Sequence, residues 1–172
     1  YDKRNQRFQT SDGFRSKFTQ SIPIVSDDYA LLNGYEFSKY EQFNDVIGSI
    51  SIYTRAVNSI SDEDVRISNR LYLPSRKLRG FEPGKIGPTD SGDFVGGNYA
   101  TAVNIVTTLP KLFATVQNAE FQFFLDAANV WGVDYSDTID DSNKIRTATG
   151  VAINWYTPIG PLNFSLAQPI TK

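Results

Sequence analysis

The feature of this chain that most constrains its fold is a two-residue alternation of apolar and polar side chains. In the segment AEFQFFLDAANVW, Phe121, Phe123 and Leu125 alternate with polar residues that include Gln122 and Asp126. Successive side chains of a β-strand point to opposite faces of the sheet, so this pattern predicts a strand with one apolar face and one polar face.

The alternation recurs in segments of roughly ten residues, which are separated by Gly, Pro, Asn, Asp and Ser. The chain has 172 residues and is long enough for one domain with a sizeable core. The pattern predicts about eight strands and no amphipathic helix. The predicted strands are 13–25, 29–40, 45–57, 65–73, 98–109, 119–131, 146–158 and 161–168.

Two architectures produce such strands: a soluble sandwich or barrel with its apolar face inward, and a transmembrane barrel with its apolar face toward lipid. The strand length matches the roughly 9–11 residues that cross a bilayer with tilt. Short connections also alternate with long ones, as in membrane barrels. We therefore predict an all-β, antiparallel, up-and-down transmembrane β-barrel. Its polar face would carry Arg15, Lys17, Arg55, Arg66 and Arg70.

The composition argues against several classes of function. The chain has no Cys, Met or His, and its 17 basic residues are balanced by 19 acidic ones. It therefore lacks thiol and imidazole chemistry, and it has no basic run for nucleic acid. We predict that it is not an enzyme and takes no metal or cofactor. The acidic loop VDYSDTIDDSNK lacks EF-hand spacing and is predicted to be solvated; its aspartates are Asp134, Asp137, Asp140 and Asp141.

The stretch KLRGFEPGKIGP contains three glycines and two prolines but no strand or helix period. Its LRGF core resembles the VRGF loop motif of the bacterial surface antigen superfamily, which includes outer-membrane protein assembly factors. Further motifs resemble that superfamily in the same order along the chain. These are YDKRN with FQTSDGFR, GGN at 96–98, FFLDAANVW at 123–131 and GVAINWYTPIGPLNFSLAQP at 150–169.

The resemblance implies a sixteen-stranded barrel that follows periplasmic domains. Residues 1–172 would form about its C-terminal half, with a long inward-folding loop at 74–97 and with none of the periplasmic domains. The chain would stop before the final strand, which forms half of the seam through which the family is thought to open. Two free sheet edges in lipid are costly. We expect closure into a small barrel, strand exchange, or pairing with another chain through the open edges.

The resemblance also assigns the loop motif to Arg79, Gly80 and Phe81. In the superfamily this loop folds into the barrel lumen, where its arginine contacts the inner wall. Asp126 would be the wall partner, because a guanidinium pairs well with a carboxylate. A second acidic position of the family falls at Asn104, which can accept a hydrogen bond from Arg79 but brings no charge.

By the same resemblance, the expected function is noncatalytic insertion and assembly of β-barrel proteins in the bacterial outer membrane. The expected partners are outer-membrane lipids, unfolded outer-membrane proteins and, through the missing N-terminal domains, the lipoproteins of the assembly complex. Two alternatives stay open. One is a polypeptide secretion pore of the same superfamily, and the other is a passive porin-like barrel.

Overall fold

A computed structural model describes residues 1–23, 29–110, 118–136, 138–139 and 144–171. Nine strands are assigned within them. They are β1 (Gly13–Ser21), β2 (Ala30–Phe43), β3 (Val46–Ser59), β4 (Thr89–Asp90), β5 (Asp93–Phe94), β6 (Tyr99–Leu109), β7 (Ala119–Trp131), β8 (Arg146–Thr157) and β9 (Gly160–Thr171).

Seven of these strands form one antiparallel sheet in the order β1-β2-β3-β6-β7-β8-β9, while β4 and β5 form a separate small hairpin. Every neighbouring pair in the large sheet is consecutive in the chain, apart from the long excursion between β3 and β6. Six of its strands contain 11 to 14 residues. The predicted all-β, up-and-down antiparallel architecture is confirmed.

One predicted strand is wrong. Residues 65–73 contain a 3-10 turn at Ile67–Asn69 and a single bridge from Leu71 to Gly97. The alternation there reflects loop packing, because Val65 and Leu73 are buried in the fold. Arg70, predicted on a strand facing the lumen, is instead buried in this loop.

The sheet has an apolar outer face. Phe123, Ile153 and Phe164 lie on that face and are 50, 40 and 59% exposed. On the opposite face of β7, Phe124 and Asp126 are 3% and 0% exposed. The predicted sidedness is confirmed: the apolar face points outward, and the buried side is the face that carries Asp126.

The connection between β3 and β6, residues 60–98, packs on part of the inner face, and we call it the inner loop. A buried apolar cluster joins Leu73, Leu78 and Ile86 of the loop to the wall. The wall residues of this cluster are mostly small, so the loop backbone can approach closely. They are Tyr53, Ala100, Ala102, Ala128, Val130 and Ala148.

The connections differ in size at the two ends of the sheet. Residues 44–45, 110–118 and 158–159 join strands at one end, while residues 22–29, the inner loop and residues 132–145 lie at the other end. The two shortest connections are thus at one end and the two longest at the other, as expected of a membrane barrel. No helix within the described ranges is long and apolar enough to cross a membrane.

Residues 1–5 lie antiparallel to the start of β1 and are joined to it by an isolated bridge between Asp2 and Arg15. Lys3 N–H donates to the carbonyl of Phe14 at 2.9 Å, and Asn5 N–H donates to that of Asp12 at 3.0 Å. Among the described residues β1 and β9 pair with β2 and β8 but not with each other. Closure of these strands into a small barrel, one of three expected outcomes, is therefore wrong.

Candidate functional site

The inner loop is attached to the sheet through Arg79. Its Nε and Nη2 donate to Oδ2 and Oδ1 of Asp126, both at 2.7 Å, and its backbone N–H donates to Oδ2 at 3.2 Å. The guanidinium thus binds the carboxylate in a bidentate ion pair, the geometry in which it binds most strongly. The Asp126 side chain is completely buried, whereas that of Arg79 retains 15% exposure.

The wall beside Asp126 holds the guanidinium from a second direction. The Arg79 Cζ lies 3.4 Å from the centroid of the Phe124 ring. Phe124 and Asp126 are two positions apart on β7 and therefore share its inner face. The arginine thus makes an ion pair with one wall residue and a cation–π contact with the next, and both restrict its orientation.

Asn104 lies directly opposite Asp126 in the pairing of β6 with β7. Its Nδ2 donates to Oδ1 of Asp126 at 2.8 Å and to the carbonyl of Lys77 at 2.9 Å. Asn104 was expected to accept from Arg79; instead it donates to the carboxylate that Arg79 binds. An amide suits this place because it provides two donors, one for Asp126 and one for the loop backbone.

The glycine and the phenylalanine of the motif lie beside this ion pair. Gly80 has φ +85°, and a Cβ at this position would lie 3.0 Å from the Cβ of Ala167 on β9. Both the positive φ and the close approach favour glycine here. Phe81 packs against the buried apolar cluster. We call Arg79, Gly80 and Phe81, with Asp126 and Asn104, the inner clamp.

A second attachment point lies at the outer end of the loop. The carboxylate of Asp134 accepts from Arg70 Nη2 at 2.8 Å, from Asn98 Nδ2 at 2.9 Å and from the backbone N–H of Val65 at 3.0 Å. The Arg70 side chain is 1% exposed, and its Cζ lies 4.4 Å from the Tyr135 ring centroid. We call Arg70, Asn98, Val65 and Asp134 the outer clasp.

Two opposing effects act on the carboxyl of Asp134. Burial disfavours its charged form, but the hydrogen bonds from Val65 and Asn98 and the charge of Arg70 outweigh burial. The pKa of Asp134 therefore lies below its ordinary value. Sequence reasoning missed this role and predicted a solvated loop. Arg70 and Asp134 are 64 positions apart, and no motif joins them. Asp137, Asp140 and Asp141 lie outside the described residues.

The GGN motif at residues 96–98 allows the inner loop to rejoin the sheet. A Cβ on Gly97 would lie 2.4 Å from the carbonyl oxygen of Trp131, so only glycine fits there. Gly97 also exchanges backbone hydrogen bonds with Leu71 at 2.7 and 3.1 Å. The motif thus brings three stretches of backbone together and directs Asn98 onto the outer clasp.

The side chains of the inner clamp and the outer clasp hold the loop to the sheet through ion pairs and hydrogen bonds. The two cations are paired with carboxylates, and no nucleophile is aligned with a base in the inner clamp or the outer clasp. Within the part of the chain that the structure describes, no cluster of three or more acidic side chains could hold a metal ion. The arrangement can hold a loop on the inner face of a sheet at two separate points.

Comparison with known proteins agrees with this architecture. The family model described as the Omp85 superfamily domain matches residues 1–172. The outer membrane protein assembly factor BamA of Neorickettsia risticii (strain Illinois) is 24% identical over 99% of this chain. The sorting and assembly machinery component 50 homolog of Homo sapiens is 28% identical over 67% of this chain.

A solved structure has a similar fold. The crystal structure of BamA from Haemophilus ducreyi lacking POTRA domains 1-3 matches with a TM-score of 0.86 and 27% identity, over 100% of this chain and 38% of that chain. This chain spans about a quarter of the length of the two curated relatives, 24% and 25%.

Proposed function

The chain belongs to the Omp85 superfamily, and from this we propose that it is the C-terminal barrel portion of a BamA-type assembly factor in the bacterial outer membrane. Its function is to help insert and assemble other β-barrel proteins there. The proposed insertase is noncatalytic and uses no nucleotide. Unfolded outer-membrane proteins are its substrates, and lipoproteins of an assembly complex are its partners through further domains of the full-length protein.

The observation that carries this proposal is the buried ion pair between Arg79 and Asp126, which seats a long loop against the inner face of a sheet with an apolar exterior. A passive pore needs an open aqueous lumen. Here the inner loop packs Leu78 and Ile86 onto the wall, which favours a barrel with an occupied interior over a porin.

The inner clamp lies close to the end of the sheet. Gly80 touches β9 at Ala167, while Arg79 binds β7 two strands away. The loop can therefore brace the wall formed by β7, β8 and β9. In the proposed mechanism, this wall stays rigid while a weak seam opens. The exposed strand edge then offers backbone donors and acceptors that lipid cannot supply to an incoming strand.

The test is to deplete the full-length protein in cells and restore it as wild type, Arg79→Ala or Arg76→Ala. Arg76 is an exposed arginine of the same loop and serves as the matched control. We expect wild type and Arg76→Ala to restore the levels of unrelated outer-membrane barrels, and Arg79→Ala to restore them poorly at equal expression. Unchanged barrel levels after depletion would refute the proposal. Loss of a single secreted polypeptide instead would indicate a secretion pore.

A further inference from the structure

The outer face of the sheet carries a groove near the end with the long loops. It has a volume of about 300 Å³ and follows β3. We call it the outer groove. Its walls and floor are formed by Phe18, Tyr35, Thr54, Thr101, Tyr99 and Trp131.

The strand register explains its shape. Residues that pair across neighbouring strands form a row on the outer face. In one row Phe18 of β1 pairs with Tyr35 of β2, and Tyr35 pairs with the smaller Thr54 of β3. In the next row Ala56 pairs with Tyr99, which pairs with Trp131. Aromatic residues thus stand on both sides of a floor of Thr and Ala. The groove runs along the strand direction, across the sheet's apolar outer face.

Its chemistry is apolar at the floor and polar at one end. Arg55 contributes to the lining, but its guanidinium points to the inner face, where Nη2 donates to Glu36 at 2.8 Å. Toward the long loops, Gln20 Nε2 donates to Asn33 at 2.7 Å, and the Tyr99 hydroxyl donates to Asn58 at 3.2 Å. No charged side chain points into the groove from the described residues. A ligand there must be an uncharged chain with a polar group at one end.

We propose that the outer groove binds one acyl chain of a lipid from the leaflet that faces the long loops. The groove is continuous with the apolar outer face, which meets the bilayer interior. Aromatic rings and short side chains give an acyl chain contact on three sides, where a flat strand surface gives contact on one. Because the groove is near the end with the long loops, its polar end, where Tyr99 and Trp131 stand, is expected at the membrane–water interface, at which Tyr and Trp are enriched.

A lipid chain fits this groove better than a protein segment does. The floor lies between β3 and β6, whose backbone groups already pair with each other, so it presents no free ladder to a strand. A protein partner would also be expected to meet charged or hydrogen-bonding groups within the groove. The inference requires only that the outer face meets lipid; it does not depend on whether the protein inserts other barrels.

The test uses two identical substitutions on one strand. Thr101→Leu fills the groove floor, while Thr107→Leu makes the same change six positions along the same face of β6, outside the groove. The full-length protein is purified, delipidated in detergent and titrated with dipalmitoyl phosphatidylethanolamine, and bound lipid is counted by native mass spectrometry. The titration is repeated with the phosphatidylglycerol analogue to separate recognition of the chain from recognition of the head group.

Wild type and Thr107→Leu should bind one phospholipid with either head group. Thr101→Leu should bind it about tenfold more weakly, as expected when roughly two methylene groups lose their contact. Equal binding by the two variants would overturn the proposal, as would binding that depends on the head group alone. If Thr101→Leu fails to fold, a photoreactive residue at 101 should give a saturable lipid adduct that is absent at 107. A protein adduct, or equal lipid labelling at both positions, would overturn it.

Discussion

The inner clamp makes a quantitative prediction about stability. Arg79→Ala would leave the fully buried Asp126 with Asn104 as its only side-chain donor among the residues that the structure describes. Removing one partner of a buried ion pair typically costs about 3–5 kcal/mol, because the other charge stays buried without compensation. We therefore expect Arg79→Ala to lower the free energy of unfolding of the full-length protein by about 3–5 kcal/mol.

The double variant tests whether the loss of stability in Arg79→Ala comes from the unpaired carboxylate of Asp126. If the loss comes from an unpaired carboxylate, removing that carboxylate must recover part of it. Arg79→Ala/Asp126→Ala should therefore be more stable than Arg79→Ala, although it has lost more contacts. Arg76→Ala, an exposed change in the same loop, should stay within about 0.5 kcal/mol of wild type.

The assay is denaturant unfolding of the full-length protein in detergent micelles, followed by tryptophan fluorescence. Wild type, Arg79→Ala, Asp126→Ala and the double variant form a double-mutant cycle, which isolates the coupling between Arg79 and Asp126, and Arg76→Ala is measured beside them as the control. A coupling below about 0.5 kcal/mol would place the pair among ordinary surface ion pairs. A double variant less stable than Arg79→Ala would also contradict the reasoning.

Three further predictions concern other parts of the fold. The pKa of Asp134 is lowered in the folded state, so its contribution to stability is present above its unfolded pKa of about 3.9 and is lost as pH falls through the lower folded value. The protection of backbone amides in the outer clasp, measured as exchange relative to the intrinsic rate at each pH, should therefore fall over that range. Asp134→Asn should remove this loss of protection. Gly92 has φ +94° and open space where a Cβ would lie, so Gly92→Ala should lower the free energy of unfolding by about 1–2 kcal/mol in denaturant unfolding. Gly80→Ala should lower it further, because its Cβ would also press on β9. Equal losses of stability would show that the contact with β9 has no effect. The last pair is measured by folding the protein into lipid vesicles. Phe123→Lys on the outer face should lower the folding free energy by about 2–4 kcal/mol near the bilayer midplane, whereas Asn163→Lys on the inner face of β9 should be tolerated. Equal sensitivity to the two substitutions would contradict the assigned faces.

The sequence predicted the strands well where their polar face turns to the inside of the sheet and their apolar face turns outward. In β7 this contrast extends over the strand, so the sequence correctly indicated that Phe123 faces outward and that Asp126 lies on the other face. The period of two is a local property of an extended chain and needs no knowledge of its partners.

The inner loop shows where such reasoning stops. Residues 65–73 alternate like a strand, yet Val65 and Leu73 are buried in a loop whose path depends on contacts distant in sequence. The same segment's Arg70 binds Asp134, 64 positions later. Hydrophobic periodicity cannot distinguish burial in such a loop from burial in a sheet, because both select alternating apolar residues over a short stretch.

The inner clamp was predictable only in part. The resemblance selected Asp126 and Asn104, but it did not indicate that Asn104 donates to Asp126. That contact follows from register, since the two residues lie opposite each other on β6 and β7. Register depends on the turns and faces of the whole sheet, and neither residue signals it alone.

The most direct test of the account is a nitroxide scan along β7 in the full-length protein, reconstituted in lipid vesicles. Labels are placed one at a time at positions 119–131, and their collisions with oxygen, which concentrates in lipid, and with a water-soluble nickel complex are compared. The account predicts that positions 121, 123 and 125 collide strongly with oxygen, and that positions 124, 126 and 128, which contact the inner loop or its buried cluster, are shielded from it. Oxygen collisions that are strongest at even positions, or that show no period of two, would contradict it.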